Sequence, residues 1–314
     1  MRSKRIVLHD IQKLKQVNPE TQAIMQKYKI DMSMRNLSLR TQAHYECDLQ
    51  QWFIYILDHQ QNRSIKDITD DDIMEFLYYC KSEGNNAERI KLRLATISAL
   101  YRFLRKKRQI QENPCEFIDR PKRGAAITQQ TYLTPEQVAL MREKLIGNNN
   151  LQLRVYAMLS LSTMARVTAI ASIRWDQIDL EEKVIKDVLE KEGKIVDLFF
   201  SDEVKHLIIQ LKAQRESKSV DDHGWLFYSG RNKDKPINQG TLREWCKKIG
   251  AMIGVPTLHP HDFRHSGATL LKNAGMALED VSTLLNHEST QTTKKYYIKE
   301  DTARISSIKR TYNI

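Results

Sequence analysis

Between Pro121 and Gln130 the chain loses all apolar periodicity, and this gap divides it into two stretches that must each bury a core of their own. On both sides apolar residues recur at intervals of three and four, the helical spacing. At 314 residues the chain is long enough for two such cores. The reading is mainly α, with a polar N-terminal extension over 1–27, a helical domain over 28–118 and a linker over 119–131. A second domain then fills 132–314, with a tail from about 301.

In the first domain Ser38 opens a segment whose Tyr45, Leu49, Trp52, Phe53 and Ile56 share one helical face. Thr69 precedes three aspartates, residue types that suit the positive end of a helix, and Gly84 stops that helix. A third segment carries Ile90, Leu94, Ile97, Tyr101 and Leu104 as a single stripe. Its remaining surface holds Arg89, Arg93, Arg102, Arg105 and Lys106, with few acidic residues at helical spacing to neutralise them. A solvated face is the ordinary reading of such a run; here contact with phosphate is favoured. Lys122 and Arg123 in the linker extend the basic set.

In the second domain Thr134-Pro135-Glu136-Gln137 has the residues of a capping box. An apolar helix over 151–164 follows, with Arg166 just beyond it. Lys183 to Val188 and Lys194 to Phe200 alternate as strands around Glu192-Gly193, so a hairpin is expected with Lys191 at its tip. Helices are expected near 202–215, 239–253, 261–273, 278–286 and 290–297.

Fifty Lys plus Arg against thirty-nine Asp plus Glu give a formal charge of +11, which makes a polyanion a natural partner without identifying one. Cys47, Cys80, Cys115 and Cys246 form no CxxC pair, so neither a zinc ribbon nor a disulfide framework is suggested. No window approaches the roughly 18 apolar residues of a membrane span, and a cytoplasmic protein is expected.

The polar residues cluster in His259-Pro260-His261-Asp262-Phe263-Arg264-His265, where His261, Arg264 and His265 fall on one side of a helix. Such a face can grip an oxyanion. Zinc is the competing reading for His261 and His265, but no HExxH pattern or third ligand accompanies them. Taken alone, Tyr296 and Tyr297 read as packing residues. Taken in order, Arg166, Lys191, His261-x-x-Arg264, His287 and a tyrosine nine residues after that histidine closely resemble the signature of the tyrosine recombinase (phage integrase) family.

That resemblance implies the recombinase fold, in which a helical core-binding domain joins an α-rich catalytic domain with a small antiparallel sheet. It also implies site-specific DNA cleavage and rejoining through a 3′-phosphotyrosyl intermediate and a Holliday junction. Tyr296 takes the nucleophile's position, Arg166 and Arg264 those that meet the phosphate, His261 the general base, Lys191 the general acid and His287 a phosphate donor. The implied partners are duplex DNA with specific sites, a homotetramer docked through 301–314, and accessory DNA-binding proteins. No metal or other cofactor is implied. Type IB topoisomerase-like relaxation and a non-cleaving DNA-binding regulator are the alternative functions.

The sequence departs from the family pattern in several places. Met164-Ala165-Arg166 stands where many relatives have Gly-Leu-Arg, and Ala169 replaces the acidic residue three positions after the arginine, which removes a supporting contact. Asn286 stands where Gly usually precedes His287, a replacement that a left-handed helix C-cap tolerates. Lys194 is the alternative to Lys191.

Overall fold

The computed structural model describes residues 3, 6, 10–122, 132–190, 193–229 and 234–286. The chain forms two compact units, Met1–Thr128 and Gln129–Ile314.

The first unit is helical: α1 (Ile11–Gln16), α2 (Pro19–Met34), α3 (Leu39–His59), α4 (Asp70–Ser82) and α5 (Ala87–Lys106). Side-chain caps set the starts, Ser38 for α3, Thr69 with Asp72 in a reciprocal box for α4, and Asn86 for α5. Gly84, with φ 99°, follows the end of α4. The expected stripe of α5 is buried in full, packed among Trp52, Phe53 and Ile56 of α3 and Ile73, Phe76 and Leu77 of α4. Tyr101 also donates to the Ile65 carbonyl at 2.8 Å, which satisfies its buried hydroxyl.

The core begins before Ser38. Asn18 caps α2 ahead of Pro19, and Ile24, Met25, Tyr28 and Met32 join the same interior. The polar lead expected over 1–27 therefore includes one helix and most of a second.

The second unit opens with α6 (Pro135–Ile146), started by the Thr134–Gln137 capping box. The central helix α7 (Leu151–Thr163) is buried nearly all round, and Tyr156 meets Phe227, Trp245 and Phe263 edge-on with ring centroids 5.7 to 6.0 Å apart. After α8 (Val167–Ala171) comes an antiparallel sheet of β1 (Ile178–Asp179), β2 (Val184–Leu189) and β3 (Ile195–Phe199), in that order. The register between β2 and β3 slips between Ile185↔Leu198 and Val188↔Val196, so β2 carries one extra residue, a β-bulge with Asp187 at φ 55°. Among the described residues four helices follow: α9 (Asp202–Ser217), α10 (Gln239–Met252), α11 (Pro260–Asn273) and α12 (Leu278–Leu284). Among the described residues no helix is long and apolar enough to cross a membrane.

Candidate active site and basic surface

The site is built where α7 ends. Thr163 is its last helical residue, and Met164 turns the chain left-handed at φ 53°. That conformation is costly for a side chain with a Cβ, but here the Met164 side chain is buried among Ala268, Val281 and Leu285. The turn then delivers Arg166 as the N-cap residue of α8, with its side chain 32% exposed.

Arg264 reaches the same turn from α11. Its guanidinium is fully buried and donates to the Met164 carbonyl at 2.7 Å and to the Leu285 carbonyl. Both acceptors stand at helix C-termini, where the backbone dipoles are negative and favour a buried cation. The two bonds tie the end of α7 to the end of α12, and the chain continues from Leu285 through Asn286, left-handed at φ 51° as the family departure required, toward His287.

Close approach of α11 to α7 depends on Gly267. A Cβ there would stand 2.4 Å from the Leu161 carbonyl oxygen and 2.6 Å from Met164 Cγ. One residue back on α11, Ser266 accepts a 2.8 Å bond from the Leu133 N–H and donates to the Asp262 carbonyl at 2.6 Å. The helix carrying the polar cluster is thus fixed from three directions.

His261 lies in the first turn of α11, its ring edge-on to His265 with centroids 4.8 Å apart. Its ring keeps access to solvent, but crowding by the surrounding protein, with the positive fields of His265, Arg264 and His259, lowers its pKa to about 4. The imidazole is therefore neutral at physiological pH and able to accept a proton. His259 serves the helix instead: its N–H donates to Asp262 Oδ2 at 2.9 Å, and its ring lies 3.0 Å from the same oxygen, capping α11.

Arg166 pairs with Glu190, whose side chain is 1% exposed. This contact was invisible from the sequence, where Ala169 indicated that support for the arginine was missing; position 169 is a fully buried alanine. Lys194 is exposed on the hairpin. Lys191, His287, Tyr296 and the tail over 301–314 lie outside the described residues.

The basic surface expected on α5 is smaller than its charge run suggests. Arg93 is 2% exposed, donates to Asn85 and Gln51 at 2.8 and 3.0 Å, and lies over the Phe76 ring, so it cannot meet a polyanion. Arg89 forks onto the buried Asp48 carboxylate. Arg93 is corrected from a surface to a structural cation, while Arg89 remains partly exposed and gives its charge to Asp48, which needs a positive partner once it is buried. Arg102, Arg105, Lys106 and Lys122 are exposed, Arg105 sharing its charge with Glu116 at 2.7 Å. Arg123 lies outside the described residues.

The phage integrase family model matches residues 131–304, more than half of the chain, and the model of the phage integrase N-terminal SAM-like domain matches residues 25–108. The chain belongs to the phage integrase family, the tyrosine recombinases. Among its relatives, the tyrosine recombinase XerC of Roseiflexus castenholzii is 28% identical over 83% of this chain and 84% of its own length. XerD of Halalkalibacterium halodurans is 26% identical over 89% and 93%. Among solved structures, XerH recombinase bound to a palindromic difH substrate superposes with a TM-score of 0.72 at 18% identity, covering 95% of this chain and 86% of that one. A lambda integrase dimer bound to a core site gives 0.68 at 17% identity, covering 89% and 96%. At these identities the structures speak for the fold, which is mainly helical with one small antiparallel sheet.

Proposed function

We propose that this site-specific recombinase cuts duplex DNA by attack of the Tyr296 phenol on the scissile phosphorus. The Tyr296 O–P bond forms as the P–O5′ bond breaks, leaving a 3′-phosphotyrosyl link and a 5′-hydroxyl. Arg166, whose guanidinium is partly exposed, meets the charge that builds on the non-bridging oxygens, and Arg264, covered and bonded to the Met164 and Leu285 carbonyls, adds its fixed positive charge from behind. His261 receives the phenolic proton, Lys191 supplies one to the departing O5′, and His287 donates to the phosphate. The reverse attack by a 5′-hydroxyl of another strand conserves the bond energy, and two such rounds pass through a Holliday junction. No cofactor enters any step.

The observation that carries this reading is the convergence at the end of α7: Arg264 is bonded to the Met164 carbonyl, and Arg166 leaves the same turn two residues later. Exchange between two sites needs four cleavages, hence a tetramer on paired DNA sites, with 301–314 as the docking segment and accessory DNA-binding proteins as further partners. Integration, excision or resolution of a mobile element or replicon, in the cytoplasm of a bacterium or by a phage-encoded enzyme, is the fitting setting. Relaxation of the topoisomerase kind and a non-cleaving regulator are not favoured, and the feature that hinted at the regulator, the absent acid after Arg166, is answered by Glu190.

The test selects a duplex from a random-sequence pool with the full chain, then nicks it beside the cleavage position so that the released fragment diffuses away. A covalent protein–DNA adduct is the expected product. Its absence on every selected duplex, under conditions of saturating binding, would overturn the reading.

A further inference from the structure

Glu190 is an expensive residue to keep where it stands. Its side chain is 1% exposed, its Oε2 pairs with Arg166 Nη1, and its Oε1 has no partner among the described residues. Burying a carboxylate costs several kcal/mol unless a cation compensates, and Arg166 is the cation bonded to it. On α8 itself nothing could serve instead, since position 169, one turn beyond Arg166, is a buried alanine.

The strand is shaped to make this contact. Ile185 is buried against Leu198, so a regular strand with a period of two would turn positions 187 and 189 inward and leave 188 and 190 in solvent. The bulge at Lys186–Asp187 inserts one residue and reverses the alternation. Val188 is then 1% exposed, Leu189 is exposed and Glu190 is buried. Asp197 Oδ1 receives the Asp187 N–H at 3.1 Å, Gln177 Nε2 donates to the Asp187 carbonyl at 2.9 Å, and the Glu190 N–H donates to the Lys194 carbonyl at 2.8 Å. The bulge is therefore braced on both sides.

We propose that Glu190 is the positioning residue for Arg166: delivered from the β2–β3 hairpin by the bulge, its carboxylate holds the guanidinium at the orientation in which it meets the scissile phosphate. The proposal rests on the recombinase reading above and concerns only how Arg166 is aimed. Glu190 touches no reacting atom; it acts through the arginine.

The experiment measures the rate of covalent trapping on the nicked duplex, with affinity for the intact duplex and thermal midpoint measured alongside. Glu190→Gln, which keeps shape and loses charge, should trap about tenfold more slowly than wild type with unchanged affinity, a modest share of the ~10²–10³-fold expected on removing an oxyanion donor by Arg166→Ala. In the Arg166→Ala background the same change should cost nothing further, because contacting residues couple. On a duplex whose scissile phosphate is replaced by a methylphosphonate, which keeps one non-bridging oxygen and carries one unit less of negative charge, the gap between wild type and Glu190→Gln should shrink. A purely structural role would slow trapping equally in all three settings and would overturn the proposal, as would an unchanged rate for Glu190→Gln. Failure of wild type itself to trap would instead remove the recombinase reading on which the proposal stands.

Discussion

Replacing Gly267 by alanine should disturb the active site from inside the core. The added Cβ would stand 2.4 Å from the Leu161 carbonyl oxygen, roughly 1 Å inside ordinary van der Waals contact, and backbone cannot rotate away as a side chain can. Helix α11 must therefore back off from α7. Alanine recovers about 1 kcal/mol of helix propensity, while overpacking of this kind costs about 1–3 kcal/mol, so a net loss near 1 kcal/mol is expected. For a unit of this size that lowers the thermal midpoint by roughly 2–4 °C. The effect on chemistry should be larger. A retreat of that size strains the 2.7 Å bond from Arg264 to the Met164 carbonyl, and a misplacement of about 1 Å at a reacting centre can cost on the order of 10²-fold in rate. Calorimetry and the trapping rate on the nicked duplex read the two effects separately. A variant with unchanged trapping and a raised midpoint would refute the packing argument.

Other expectations concern charge. Arg102→Ala and Lys122→Ala should each flatten the salt dependence of DNA affinity, by up to about 0.9 in the log–log slope for every phosphate no longer neutralised. Arg93→Ala should leave that slope unchanged and lower the denaturant midpoint, since removing one member of a buried charge network costs roughly 3–5 kcal/mol; a slope changed by Arg93→Ala at full stability would reverse the assignment. His261 should titrate by NMR near pH 4, against about 6.5 for an unperturbed imidazole. Because its folded pKa lies below the unfolded one, the unfolded chain binds more protons between these values. Stability tied to His261 is thus complete above about pH 6.5 and is lost progressively toward pH 4. A midpoint above 6 would contradict the field of cations around the ring.

Much of this architecture was legible locally. Ser38, Thr69 and Thr134 marked helix starts by chemistry that acts within one turn, and the stripe from Ile90 to Leu104 specified the buried face of α5. What escaped was set by residues distant in sequence. Arg93 matched its exposed neighbours in composition, and only Asp48, Gln51 and Asn85 make it an interior cation. Asn18 and Pro19 could have signalled the start of α2, but the polar residues around them masked it. Glu190 carries no signal in the sequence, because a bulge reverses which side chains face inward and the strand's own residues do not mark it. In the site, spacing along α11 placed His261 and Arg264 together, whereas the use of helix-end carbonyls to hold Arg264 emerged only from the fold.

The central claim is that Tyr296 carries the DNA. Digesting the trapped adduct with protease and nuclease, and sequencing the modified peptide by mass spectrometry, reads the attachment point directly. A single nucleotide-bearing peptide spanning 296–297 with the phosphate on Tyr296 is expected, and no adduct from Tyr296→Phe. Phosphate on Tyr297, on a serine or on any other residue, or an adduct persisting in Tyr296→Phe, would contradict it.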